Sequence, residues 1–570
     1  MKPARPVVYG LAALSALAFA SHALPVPSSA PAIAKLDIRL TPTRSGDGTA
    51  DGLAVSYVYT PAPGRTAPLV LDLDTLEPSL ERGTDVVADL TVSDEHGPLP
   101  MGAAVRRESN GATYEEWKAP RPTAGTVKVS YRMHVAKNVA AKRGPQFDLQ
   151  AAGGGVSGGY IGFLVLPDTA GGSFDTHVTW GLKPGEMAVS SYGEGDCRGT
   201  YTPEKLLGTL FLAGPVTTHR MSGQPNDGGV TVYALGMPKE QLKSIGDWTA
   251  RAHAAEVKAF QLHDKPYRFM IRSFVGSANP SGRAAENSFM LYLPPGKNPG
   301  TANLRFTVAH EMVHSLAATM DADQDGGDWY TEGLANYLSM RVPYAAGLYT
   351  PQEYADEVNS ESAAYYTNAK RSIPNSEIPT TMWTGRNAWM IPYNRGTLYL
   401  ADLDAKLKAH GSKHTVLTLA NAMTQRINHG APSTGQTWVK LLTEQVGPWA
   451  IADWNDMMQG KLIYPAVGAF GDCMHAKKQD VRIFDLGFPK PLRLNAGQAI
   501  AGVVHGSPAD VAGLRDGDVI QDSVDINPIA SSLDLPVVLH VLRDGKPHTI
   551  TFNPSAGTQP GLSWTSSCVK

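Results

Sequence analysis

Residues 309–314 read Ala-His-Glu-Met-Val-His and place two imidazoles four positions apart. In a helix that spacing puts His310 and His314 on one face, one turn apart, where both can reach a single ion. Neutral imidazole nitrogen suits zinc, and two ligands from one helix leave room for a third protein ligand and a water. Glu311, beside the first histidine, can then take a proton from that water. The chemistry expected is hydrolysis by a metal-activated water, with Glu311 as general base.

A third ligand should follow on a neighbouring helix. Trp329-Tyr330-Thr331-Glu332-Gly333 supplies a carboxylate 18 positions after His314. Attack on a carbonyl develops an oxyanion, which needs a preorganised donor besides the metal. Tyr393, in Pro392-Tyr393-Asn394-Arg395-Gly396 just ahead of a helix expected from about Thr397, is the candidate. A peptide held by its free α-ammonium also needs a carboxylate near the metal. Glu286, with Asn287 beside it, lies on an expected strand edge ahead of the metal helix and is the candidate substrate-binding pair.

Two other patterns compete for these residues. Asp321, Asp323, Asp325, Gly326 and Glu332 fit the calcium loop of an EF-hand letter for letter. Glu332 cannot serve two ions in the usual way, and Asp328 stands where such a loop packs an apolar side chain, so zinc is preferred for Glu332; the three aspartates are read first as a solvated acidic loop, with calcium as their alternative. Residues 155–159, Gly-Val-Ser-Gly-Gly, fit the G-x-S-x-G turn of serine hydrolases. That turn needs a strand before and a helix after, whereas here a glycine run precedes and a strand-like segment follows. Residues 153–159 are read as a flexible loop.

The elements that must position these groups can be read from the periodicity. From 34 to 234, short alternating runs such as LAVSYVYT and TVKVSYRMHV are broken by Gly, Pro, Asn and Asp, which predicts an all-β domain. From 238 the period becomes helical, with strands expected at 267–274 and from Ser288, giving a mixed α/β to helical domain over 238–467 that holds the chemistry. Residues 471–570 return to strands. The first 23 residues carry a basic start (Lys2, Arg5), an apolar stretch and small residues at Ser21 and Ala23, the pattern of a signal peptide. The chain is therefore expected to be exported, periplasmic or secreted, with no membrane span after processing. Its Lys and Arg are dispersed, which argues against nucleic acid and for peptide or protein substrates. Of three cysteines, Cys473 and Cys568 flank the last domain and are candidates for one disulfide, leaving Cys197 free, although spacing alone does not decide connectivity.

The two-histidine, one-glutamate arrangement resembles the gluzincins, and the W-x-x-E-G context is similar to the aminopeptidases of the thermolysin-like clan. That resemblance implies Tyr393 in the oxyanion role, from the match to Y-x-K/R-G, and Glu286 as ammonium anchor, although Arg283 and Ala284 stand where the family has small or glycine residues. Asn336 falls where the family often has an acid orienting a metal-bound histidine; an amide oxygen can accept the same hydrogen bond. Residues 503–520 closely resemble a PDZ domain, with Leu486, Gly487 and Phe488 in its carboxylate-binding loop, which implies a C-terminal peptide ligand. The whole architecture resembles the PDZ-containing glycyl aminopeptidases, and so implies removal of small N-terminal residues such as Gly or Ala. The His314 to Glu332 spacing is nearer that of leucyl and alanyl aminopeptidases. Two alternatives stay open: an endopeptidase on the same zinc site, and a peptide-binding protein with a vestigial one.

Overall fold

The computed structural model describes residues 33–568, apart from 65, 75–86, 110–111, 136–147, 169–171, 226, 274–279, 294–303, 321–326, 383–384 and 490–493. The expected signal peptide and the three aspartates Asp321, Asp323 and Asp325 lie outside the described residues. Among those described, no helix is long and apolar enough to cross a membrane. The chain divides into two compact units that meet in sequence at Pro215 and Val216, the first rich in β-structure and the second largely helical.

The first unit is built of sheets of seven, five and four strands. Its alternation is literal. In Ala34–Arg44 the side chains of Ala34, Leu36, Ile38 and Leu40 are buried, while Lys35, Asp37 and Arg39 are exposed. The glycine-rich stretch departs from expectation, because Gly155–Gly159 is a buried strand paired with Leu210–Gly214 and Gln150–Ala152. Its glycines permit close backbone approach: a Cβ on Gly214 would lie 2.6 Å from Gly155 Cα. Ser157 is wholly buried, and only the three-residue 3-10 turn Tyr160–Gly162 follows, so no nucleophile is presented there.

The second unit opens with a five-stranded sheet of β1 (Val216–Arg220), β2 (Val230–Leu235), β3 (Tyr267–Ser273), β4 (Ser281–Ala285) and β5 (Ser288–Leu293). The spatial order is β1-β2-β3-β5-β4, with β2, β3 and β5 parallel and β4 an antiparallel edge strand. β5 is buried at every position, as expected of a strand covered on both faces. Helix α1 (Lys239–Ala259) packs on β1 and β2. Helix α2 (Leu304–Leu316) lies along β4 and β5 and turns the stripe Leu304, Val308 and Met312 into the core. Helices α3 (Asp328–Ala345), α4 (Pro351–Tyr366) and α5 (Ile391–Ala409) complete the layer around it. Helix α5 starts six residues earlier than expected, because Pro392 sits in its first turn, where its fixed φ suits the helix and its missing N–H has no intrahelical role.

The tail begins with β6 (Met474–Phe484), which pairs antiparallel along its length with β7 (Ser555–Ser566). Between them lie α6 (Ile526–Ala530) and a three-stranded sheet of Val519–Ile520, Val537–Arg543 and Lys546–Phe552. Met474, Val481, Leu562 and Trp564 share the apolar core of α2 to α5, whereas Phe484, Leu486 and Phe488 belong to a second core. Cys473 and Cys568 are joined, with Cα atoms 5.5 Å apart, and Cys197 is free. That link joins residues 95 positions apart and stabilises by about 4.7 kcal/mol on the chain-entropy account.

Candidate metal centre

Helix α2 carries His310 and His314 on one face, and helix α3 crosses it to bring in Glu332. The two Nε2 atoms lie 3.0 Å apart. Glu332 Oε2 is 3.3 Å from that of His310 and 3.2 Å from that of His314. These are the residues that both the i, i+4 spacing and the downstream glutamate single out, and among the described residues they form the one cluster with metal-ligand geometry.

The triangle fits a zinc ion. With zinc–ligand bonds of about 2.0–2.1 Å, two ligand atoms of a tetrahedral site lie about 3.3 Å apart. Three such atoms facing one point at this separation are held together by a cation, or by a shared proton where none is bound. Glu332 Oε2 is buried without a hydrogen bond of its own. Burial pushes the Glu332 carboxyl upward, but the imidazoles of His314 and His310 hold it well below the usual range. Burial opposes charge on His310, and the Glu332 carboxylate more than offsets this and raises it. Side-chain exposures of 11, 15 and 21% for His310, His314 and Glu332 leave the triangle partly accessible to solvent.

Two glycines set the distance between the metal glutamate and the tyrosine. Where α3 and α5 cross, a Cβ on Gly333 would lie 2.4 Å from Gly396 Cα, and one on Gly396 would lie 2.0 Å from Trp329 O. No other residue fits at either position, which explains the glycines of both W-x-x-E-G and Y-x-R-G. Trp329 is fully buried against Tyr399 and Trp438 and anchors the start of α3. Tyr393 is thereby placed with its ring stacked near His310, centroids 6.1 Å apart. Burial, then the carboxylates of Glu332, Asp328 and Glu311, pushes its phenol well above the ordinary value. It therefore keeps its proton and can donate. Arg395 is structural, holding Asn375 Oδ1 at 2.8 Å and the carbonyls of Arg371 and Ile373 at 2.7 Å.

The edge strand β4 runs beside α2. A Cβ on Gly282 would lie 2.6–2.8 Å from Cγ, Cδ and Oε1 of Glu311, so this glycine leaves the space that Glu311 occupies. No motif marks it, because its role is a contact between segments distant in sequence. Glu286 and Asn287 form the turn between β4 and β5, with Glu286 exposed and Asn287 in the left-handed region at φ 49°. That turn lies at the level of Ser315, whose Oγ is 3.4 Å from Ala285 O and 3.3 Å from Ser288 O. Glu286 is not drawn into the metal triangle.

In the tail, Leu486 and Phe488 point into the second core. Gly487 N–H donates to Asp485 Oδ1 at 3.0 Å, and its carbonyl accepts from Val504 N–H at 2.7 Å. Helix α6 has five residues and is tied to the C-terminus of α4 and to the short helix Arg386–Trp389: Ala530 O accepts from Thr367 Oγ1 at 2.9 Å, and Asn527 Oδ1 accepts from Arg386 Nε at 2.7 Å.

No protein-family model matches the sequence, and no curated protein does. Solved structures do. An aminopeptidase N family protein from Idiomarina loihiensis matches with a TM-score of 0.66 at 14% identity, over 93% of this chain and 98% of that one. An M1 zinc metallopeptidase from Deinococcus radiodurans matches at 0.47 and 15% identity, over 76% and 95% of the two chains. Yeast LTA4 hydrolase matches at 0.47 and 12%, over 76% and 69%. At this identity the first match shows a shared fold, spanning nearly the full length of both chains.

Proposed function

We propose that this chain is a zinc metallopeptidase working as an aminopeptidase, and that it removes small N-terminal residues such as Gly or Ala from peptides. The observation that carries the reading is the triangle of His310, His314 and Glu332, partly accessible to solvent and matched to tetrahedral zinc. Zinc held there supplies Lewis acidity and lowers the pKa of water toward about 7.

The chain's own residues do the rest. The peptide backbone adds to the outer edge of β4, which has β5 as its one described sheet neighbour. Glu311 takes the proton as water attacks the carbonyl and passes it to the departing amine. Tyr393 O–H donates to the oxyanion. Glu286, in the turn that ends β4, is the proposed anchor for the substrate ammonium, with Asn287 fixing the turn. The finer family reading, a PDZ-containing glycyl aminopeptidase, draws support from the tail's β-rich build and from its short helix Pro508–Val511 capped by Ser507. Export draws support from the N-terminal pattern and from the Cys473–Cys568 link, which suits an oxidising compartment.

The test is hydrolysis of Gly-, Ala- and Leu-anilides with and without a zinc chelator, alongside N-acetylated peptides. Cleavage of the free amines that stops on chelation and on acetylation supports the reading. Equal cleavage of blocked peptides makes the protein an endopeptidase, and no cleavage with zinc bound makes the site vestigial.

A further inference from the structure

Tyr393 is the third residue of α5, and the segment that leads into it is a helix of four residues, Arg386–Trp389. Pro392 interrupts the run between them, because it has no N–H to give the Ala388 carbonyl. Two backbone bonds cross the break, from Met390 N–H to Arg386 O at 2.9 Å and from Asn394 N–H to Met390 O at 3.1 Å. One turn of helix cannot hold itself in place, since nucleation costs more than so few backbone bonds return. The anchors of Arg386–Trp389 must therefore come from other parts of the chain.

The tail supplies one of them. Arg386 is buried, at 4% exposure, and its Nε donates to Asn527 Oδ1 at 2.7 Å while Nη2 reaches Ser531 Oγ at 3.5 Å. Burial pulls the guanidinium down to about 10, against the opposing carboxylates of Asp525 and Glu361, so it stays charged at neutral pH and its bonds are charge-assisted. Helix α6, which carries Asn527, is itself fixed. Arg482 of β6 donates to Ile529 O, to Ser532 O at 3.0 Å and to Leu535 O at 2.8 Å, and Thr367 Oγ1 donates to Ala530 O. From the end of α4, Asn368 Nδ2 donates to Asn387 O at 2.7 Å. A braced tail helix thus grips the turn that feeds the tyrosine.

We infer that the tail helps to build the catalytic site: Asn527 is a positioning residue that, through Arg386, sets the first turn of α5 and with it the reach of the Tyr393 hydroxyl. The crossing of Gly333 and Gly396 fixes α5 about one turn farther in and leaves this first turn to the tail. The inference rests on the aminopeptidase reading above, in which Tyr393 donates to the oxyanion.

The experiment is a double-mutant cycle on hydrolysis of an Ala-anilide by the full chain, with zinc content measured alongside. Asn527 is an exposed residue, so Asn527→Ala removes the acceptor without opening the core. Losing an oxyanion donor costs about 10²–10³-fold in kcat, and displacing one costs part of that. Asn527→Ala is expected to lower kcat about 10-fold, with KM within about twofold and zinc still bound, because the hydroxyl acts in the transition state. Asn527→Asp keeps an acceptor for Arg386 and should restore kcat to within about twofold of the parent. In a Tyr393→Phe background, adding Asn527→Ala should change kcat by less than about twofold. An unchanged kcat in Asn527→Ala overturns the inference. So does an equal fall in the Tyr393→Phe background, which is what a loosened fold alone gives. A parent that binds zinc but hydrolyses neither free nor blocked substrates refutes the proposed function, and the inference falls with it.

Discussion

Helix α4 meets polar partners on two of its faces. On one, Trp564 N–H donates to Asn359 Oδ1 and Asn359 Nδ2 donates to Trp564 O, both at 2.8 Å, while Trp564 Nε1 donates to Ser362 Oγ at 2.8 Å. Each of these groups has its complement, and the cluster fastens the tail strand β7 to the helical core. On another face Glu361 reaches Asn336 and Asn394, and beyond them the Nε2 atoms of His310 and His314 crowd against Glu332 Oε2 at 3.0–3.3 Å. There the polar atoms are left incompletely matched. A satisfied buried network specifies structure, and an unsatisfied one that is kept marks a place for something else to bind.

That contrast can be broken at either end. The largest effect is expected at the general base: Glu311→Gln should lower kcat by about 10²–10⁴-fold while zinc stays bound at one per chain, because the carboxylate moves a proton and does not hold the metal. Steady-state kinetics with metal analysis checks it, and loss of zinc would move Glu311 into the ligand set. Gly282→Ala should be milder, lowering kcat by roughly 10- to 100-fold with zinc content and Tm nearly unchanged, since the added methyl displaces the Glu311 carboxylate. A fall in Tm with intact kcat would make the glycine a folding residue only. At the satisfied cluster, Trp564→Phe removes one donor from a buried pair and should lower the unfolding free energy by about 1–2 kcal/mol in chemical denaturation, leaving kcat/KM unaltered.

The same contrast explains what the sequence made legible. His310, Glu311 and His314 can be read because one helix carries them and its period puts them together. Glu332 can be read because its glycine neighbour is forced by the crossing with Gly396, which leaves a local signature. Glu361 has no signature of its own. It is one of several acids on α4, with Glu353, Asp356 and Glu357, and only the fold turns it toward Asn336 and Asn394. Gly282 is hidden for the same reason. Residues 155–159 went the other way: glycine has little strand preference of its own, so the pattern reads as a loop, while pairing with Leu210–Gly214 makes it a buried strand. The tail resembles a PDZ domain in sequence, yet its short α6 is tied to Thr367 and Arg386 and the Gly487 amide is engaged by Asp485. Which bonds such a loop has already made cannot be read from its letters.

The central claim is that two imidazoles and one carboxylate converge on a single cation. The direct test is the zinc content of purified Glu332→Ala, set against the parent and measured by elemental analysis after dialysis against a weak chelator. The parent should hold one zinc per chain, and the variant should lose it together with its hydrolytic activity. Stoichiometric zinc in Glu332→Ala, or full activity in a metal-free parent, would contradict the account.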